Sequence, residues 1–189
     1  MKNIEEIKKE ILNCRKCPLY KTRINPVVGE GSLQTEIMFI GEAPGANEDR
    51  TGQPFCGAAG KILDELLESA RIKREEIYIS NILKCRPPGN RSPRVEEIKA
   101  CTSYLEEQIA LIKPKVICTL GNFATAFIFK KFGLDNKLQG ISKIHGQVFA
   151  AGDLFTQVKI VPLYHPAVVA YNINMKETLK KDFQRLISL

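Results

Sequence analysis

Apolar residues recur along the chain with two alternating periods, one helical and one of a buried strand. Ile4, Ile7 and Ile11 share one side of a helix predicted over residues 3–13. EIMFIG, residues 36–41, is too short for a helix and reads as a buried strand. AAGKILDELLESA, 58–70, sets Ala59, Ile62, Leu63, Leu66, Leu67 and Ala70 on one helical stripe. IYISN, 77–81, is a second strand, and Ser92 followed by Pro93 opens a helix that runs to Ile112. KVICTLG, 115–121, reads as a strand and NFATAFIFKKF, 122–132, as a helix. Strands follow at 147–151 and 158–163, and a helix over 176–189 closes the pattern. Strands separated by helices of this length predict an α/β fold, a mostly parallel sheet covered on both faces.

That architecture places ligands beyond the C-terminal ends of the strands. Three polar stations fall there: Gly41–Glu42 after the first strand, Asn81 closing the second, and His165 after KIVPL. They are distant in sequence and are expected to converge in space. No internal repeat or linker divides the 189 residues, so one domain over 1–189 is expected. No apolar run approaches the length of a membrane span, and the N-terminus lacks a signal peptide's apolar core, so the expectation is a cytoplasmic protein without membrane contact.

Charge adds a partner class. Lys and Arg number 28 against 21 Asp and Glu, a net +7, which favours a polyanion. KCRPPGNRSPR concentrates Lys84, Arg86, Arg91 and Arg94 without an acid, among prolines. It is a solvated loop on the bland reading and a rigid phosphate-contacting edge on the functional one.

Six cysteines complete the inventory. Cys14 and Cys17 form a C-x2-C just past the first helix, a spacing that chelates one metal centre. Cys85 lies in the proline-rich loop. Cys101 shares an apolar stripe with Ile98, Leu105 and Ile109, where a cysteine often serves as a small core residue. Cys118 reads as core, and Cys56 beside Phe55 is ambiguous. Cys14, Cys17, Cys85 and Cys101 are the preferred set. Four thiolates suit zinc or an iron–sulfur cluster, and the lack of a second C-x2-C favours the cluster.

The segment GEAPGANEDRTGQPF, 41–55, looks like a phosphate cradle yet carries Glu42, Glu48 and Asp49. GAAGKI is not a Walker loop, since Phe55 and Ile62 stand where Gly and Ser or Thr are required. A flat, uncharged ring fits better. Phe55 stacks, Asn81 both donates and accepts, the Gly41 region admits close backbone approach, and His165 stabilises charge developing on the ring. Each also has an ordinary alternative: Phe55 in the core, Asn81 in a turn, His165 in a loop.

As an ordered set, GEAPGANEDRTGQPFCGAAGKILDELL, YISNILKCRPPGNRSP and LYHPA, with the early C-x2-C, closely resemble the family-4 uracil-DNA glycosylases. These are the iron–sulfur glycosylases of thermophilic bacteria and archaea. The resemblance implies an α/β/α sandwich around a four-stranded parallel sheet. It implies one structural 4Fe-4S cluster on Cys14, Cys17, Cys85 and Cys101, in a loop packed on the domain with the N-terminal helix. Residues 41–45, with Gly41, Glu42 and Ala43, would line a uracil pocket. Phe55 would stack on uracil, Asn81 read its Watson–Crick edge, Glu48 crowd its 5-position, and His165 stand beside its 2-oxygen.

The implied reaction is release of uracil from single- or double-stranded DNA, leaving an abasic site. The nucleotide must first be flipped out. Lys84, Arg86, Arg91 and Arg94 are expected to grip phosphates, with Val168, Val169 or Tyr171 as the wedge. Glu42, His165 and Asn81 are the expected catalytic residues. The better-known relatives carry a water-activating Asp in GQDPYH where this chain has Ala43, so Glu42 becomes the candidate for orienting water, a structural role being its alternative. A monomer is expected, with contact to replication or repair proteins left open. The competing readings are a metal-stapled nucleic-acid-binding module without catalysis and a redox protein.

Overall fold

The computed structural model describes residues 2–152 and 157–189; Met1 and residues 153–156 of the expected 1–189 domain lie outside it. Eight α-helices are described: α1 (Ile4–Leu12), α2 (Ala46–Thr51), α3 (Ala58–Ser69), α4 (Val95–Ile112), α5 (Asn122–Lys131), α6 (Ile141–Ile144), α7 (Val168–Tyr171) and α8 (Met175–Gln184). The strands are β1 (Glu30–Gly31), β2 (Ile37–Gly41), β3 (Tyr78–Asn81), β4 (Val116–Leu120), β5 (Phe149–Gly152) and β6 (Gln157–Leu163). They form one sheet in the order β1-β3-β2-β4-β6-β5. The central four, β3-β2-β4-β6, are parallel, and β1 and β5 add antiparallel edges.

The period of two along each strand sorts its side chains into two cores. Phe39, Ile79, Cys118 and Val161 face α3 and α8, where they meet Leu63, Leu67, Leu179 and Phe183. Met38, Tyr78, Ile117 and Ile160 face α4 and α5, meeting Leu105, Ala124, Ile128 and Phe129. This is the expected three-layer arrangement. Its sheet has six strands rather than four, because the parallel quartet gains an edge on each side. A third cluster joins Ile7 and Ile11 of α1 to Leu83, Tyr104 and the cysteines Cys85 and Cys101.

Differences from the sequence reading have local causes. β1 is two residues long and α2, ANEDRT, has no apolar stripe, so neither leaves a periodic signal. α4 starts at Val95, after Ser92 and Pro93, because Glu97 reaches back to accept from the Arg94 amide at 2.8 Å and caps the helix there. The closing helix tightens into a 3-10 turn over Arg185–Ser188. Among the described residues no helix is long and apolar enough to cross a membrane.

Candidate active site

Parallel pairing sets Gly41, the last residue of β2, directly opposite Asn81, the last of β3. The approach is close: a Cβ at Gly41 would stand 2.3 Å from Asn81 Oδ1 and 2.9 Å from Phe55 Cζ. Asn81 is 2% exposed, and its Oδ1 has no hydrogen-bond partner. A buried acceptor left unpaired costs about 1–3 kcal/mol. Beside a cavity, such an atom is set to receive a ligand's donor.

Phe55 reaches the same point through strained backbone, φ +48°. Two contacts hold it. Arg74 Nη2 donates to the Pro54 carbonyl at 2.7 Å. Gly60, in the first turn of α3, leaves room for the Phe55 carbonyl, which would lie 1.8 Å from any Cβ there.

Glu48 closes the segment from the other side. Its Oε2 accepts from the Gly45 amide at 3.1 Å, and its Oε1 from Cys56 and Gly57 at 3.0 and 2.9 Å. The carboxylate therefore sits in a nest of main-chain donors and staples the start of α2 to the turn that carries Phe55.

His165 lies two residues beyond β6, its ring 5.7 Å from that of Phe55. The Ala167 amide donates to His165 Nδ1 at 3.2 Å, which assigns the proton of the neutral ring to Nε2. Burial lowers the imidazole's pKa, opposed in part by the negative charge of Glu48. Burial likewise raises the Glu42 carboxyl.

Glu42, Ala43, Glu48, Phe55, Asn81 and His165 line one cavity of about 580 Å³, open to solvent. Gly41 is not among the lining residues but packs against two of them, Asn81 and Phe55. Pro44 and Gly45 of the expected 41–45 segment also line the cavity, as do Ala59, Pro87, Asn90 and Ala167, which were not expected there. Asn90 carries a signal that was available, being an asparagine in the turn Pro-Pro-Gly-Asn, where it takes φ +55°.

The basic loop divides. Lys84 is not on the surface: it is 1% exposed, and the expected phosphate contact is corrected. Its Nζ donates to Ser80 Oγ (2.6 Å), Gln108 Oε1 (2.7 Å) and the Asn81 carbonyl (2.9 Å), so three protons meet three acceptors. Burial pulls this ammonium down to about 8, against the opposite pull of Cys101 and Cys85. Arg91, at the cavity wall, forms a two-pronged ion pair with Glu97 at 2.6 and 2.9 Å. Arg86 Nε donates to Asn90 Oδ1 at 2.7 Å, and Arg94 is exposed. Of the three wedge candidates, Val169 is buried and Val168 packs against the same core, which removes both. Tyr171 is 91% exposed and stands at the cavity wall.

Cys14, Cys17, Cys85 and Cys101 line a second cavity, together with Ile11, Leu83 and Tyr104. Two donors point at sulfur: Arg23 Nη1 at 3.1 Å from Cys85 Sγ and the Lys84 amide at 3.2 Å from Cys101 Sγ. Burial raises the thiols of Cys17 and Cys85, and pushes Cys101 up to about 11. Among the described residues no three cysteine, histidine or carboxylate side chains converge on a point that a single metal ion could occupy. Cys118 is core, and Cys56 lies with its sulfur 3.2 Å from Thr51 Oγ1.

A mostly parallel sheet that brings an aromatic ring, an unpaired amide oxygen and an imidazole to one strand edge defines an α/β protein with its pocket beyond the strand ends. The family model described as the uracil DNA glycosylase superfamily matches residues 28–187. The chain is 46% identical over 186 residues to a type-4 uracil-DNA glycosylase of Archaeoglobus fulgidus, covering 98% of this chain and 92% of that one. It is 44% identical to proteins of the same name from Sulfurisphaera tokodaii, covering 100% and 86%, and Saccharolobus solfataricus, covering 98% and 86%. The chain belongs to the uracil-DNA glycosylase superfamily, in its type-4 group.

Proposed function

We propose that this protein excises uracil from DNA, hydrolysing the bond between the sugar and the base to leave free uracil and an abasic site. The observation that carries the reading is the buried, unpartnered Oδ1 of Asn81 beside Phe55 and His165 in one cavity. A ring N–H meets that acceptor, and the adjoining carboxamide N–H₂ donates to a ring carbonyl, a pattern that uracil satisfies and cytosine does not.

As the C1′–N1 bond breaks, its electron pair stays with uracil and the sugar becomes cation-like. The Nε2–H of neutral His165 donates to the oxygen on which the negative charge collects, a contribution of about 3–4 kcal/mol for one well-placed donor. Water adds to C1′ and its proton is lost, while the uracil anion takes up a proton after release. Glu42, half-buried with its carboxyl pKa raised, orients that water. Exposed Tyr171 fills the space left by the flipped nucleotide, and Arg86 and Arg94 grip phosphates.

The cysteine set supports a 4Fe-4S cluster held by Cys14, Cys17, Cys85 and Cys101. Four sulfurs around a shared cavity, two of them met by N–H donors, suit a polynuclear thiolate centre. A cluster held there would tie the turn after α1 to the loop before α4, through Cys85, and to α4 itself, through Cys101. We read the chain as one cytoplasmic, monomeric domain over 1–189. Its partner is uracil-containing DNA, and contact with replication or repair proteins is open to it.

The decisive experiment incubates the purified protein with an oligonucleotide carrying one uracil. Alkali-labile breaks at that position are expected. Retardation of the oligonucleotide without breaks would instead make the protein a binding module.

A further inference from the structure

Lys84 poses an energetic problem that its neighbours do not solve. Burying an ammonium costs several kcal/mol unless a negative charge compensates it. Among the described residues Lys84 makes no ion pair with a carboxylate; its acceptors are a hydroxyl, an amide and a carbonyl. A methionine would fill the space without that cost. The cage is nevertheless built for an ammonium. Gln108 Nε2 is fixed by Val28 O at 2.8 Å and Tyr78 Oη at 3.1 Å, which leaves its Oε1 turned to Lys84.

Both ends of this residue lead to a functional group. The ammonium holds the main-chain carbonyl of Asn81, whose side chain faces the cavity. The amide of the same residue holds Cys101 Sγ. The adjacent Cys85 is a second sulfur of the set. As ligands of a cluster these two cysteines would be thiolates and would supply the counter-charge that Lys84 lacks.

We infer that Lys84 is a positioning residue that fastens the base-reading end of β3 to the cysteine centre, by hydrogen bonds on both sides and by a buried charge between them. The inference rests on the proposed function for its Asn81 half and on the cysteine set for the other. It differs from a phosphate contact in a measurable way, because a buried cation neutralises no phosphate.

The test compares wild type with Lys84→Met, which keeps the chain length and removes the charge and its three bonds. Single-turnover uracil excision should fall about ten- to a hundredfold, the range set by misplacing a substrate-orienting group by roughly an ångström. KM for DNA and the salt dependence of binding should not change. The midpoint potential of the iron–sulfur centre should move to more negative values, since a positive charge has left the sulfurs. Gln108→Glu separates the two parts. It keeps an acceptor facing Nζ and leaves the Lys84 bond to the Asn81 carbonyl, but it adds a negative charge and gives up the Nε2 donor to Val28 O, so the potential should fall while excision falls less than in Lys84→Met.

An unchanged rate in Lys84→Met, or an unchanged potential in either variant, overturns the inference. So does a salt slope reduced by about one charge, which would return Lys84 to the DNA surface. If Lys84→Met does not fold, the potential of Gln108→Glu decides. Protein that purifies without iron overturns the inference as well. A wild type that leaves uracil in place defeats the functional proposal instead, and the potentials still test the bond to the sulfurs.

Discussion

Replacing Gly60 with alanine tests the geometry of the pocket where a helix-propensity argument gives the opposite sign. Gly60 lies in the first turn of α3 and is buried. Alanine in a helix is ordinarily better than glycine by about 1 kcal/mol. Here the new Cβ would lie 1.8 Å from the Phe55 carbonyl oxygen and 2.3 Å from its carbon, both main-chain atoms. The turn must therefore retreat by more than an ångström, and it is the turn that holds Phe55 at φ +48°. Overpacking of this kind costs about 1–3 kcal/mol, which cancels or exceeds the helix gain. The expected net loss of roughly 0–2 kcal/mol lowers the melting temperature by up to about 8 °C for a chain of this size. The larger effect is on chemistry, because displacing a stacking ring by an ångström costs about a hundredfold. Thermal melts by circular dichroism and single-turnover excision at saturating protein measure the two. Gly60→Ala protein that melts above wild type and excises uracil at the wild-type rate would refute the reasoning.

Four further outcomes follow from the same geometry. His165→Ala should lower single-turnover excision about 10²- to 10³-fold with the fold retained, as loss of one oxyanion donor does, checked by the rate beside a circular dichroism spectrum. The folded-state pKa of His165 lies below its unfolded value, so its contribution to stability is present above the ordinary histidine range and is lost as pH falls through the folded value. Wild type should lose more stability than His165→Gln between neutral and mildly acidic pH in denaturant titrations. Glu48→Gln separates crowding from stapling: a crowding side chain keeps thymine rejected and uracil excision intact, whereas a staple fails, because the new N–H₂ meets an amide donor. We expect the second result, a loss of about 1–3 kcal/mol in stability with a fall in excision. Arg86→Ala and Arg94→Ala should each weaken DNA binding regardless of sequence and reduce the salt slope by about one, in fluorescence anisotropy across salt concentrations.

The sheet was legible because buried strands and amphipathic helices carry their period in side-chain type. Met38 and Phe39 enter opposite cores by alternation alone. The meeting of Gly41 with Asn81 followed from the same rule, since adjacent parallel strands end on one edge. What stayed hidden depends on partners distant in sequence. Lys84 reads as a loop cation, and nothing in KCRPP shows that Ser80 and Gln108 enclose it. Arg91 has a carboxylate only because α4 brings Glu97 to it. α2 is a polar helix of one and a half turns whose cap is the Glu48 carboxylate itself.

These hidden contacts resolve the contradiction in a glycine-rich segment loaded with acids. A free carboxylate at Glu48 would oppose the anion that departing uracil becomes. Three main-chain amides converge on it instead, and their dipoles oppose its field toward the cavity. Asp49, also buried, accepts the Ile24 amide at 3.0 Å and faces away into the α1–β1 connection. Glu42 remains, and burial favours its protonated form over its charged one. The segment thus keeps the close backbone of a phosphate cradle but uses its amides on its own side chain. What it leaves at the strand edge is a wall whose Glu48 carboxylate is already bonded to main-chain amides, with one imidazole N–H and one carboxamide as directional groups. Such a wall suits a ring that enters uncharged and leaves as an anion; a phosphate, charged on arrival, would find the amides it needs already taken.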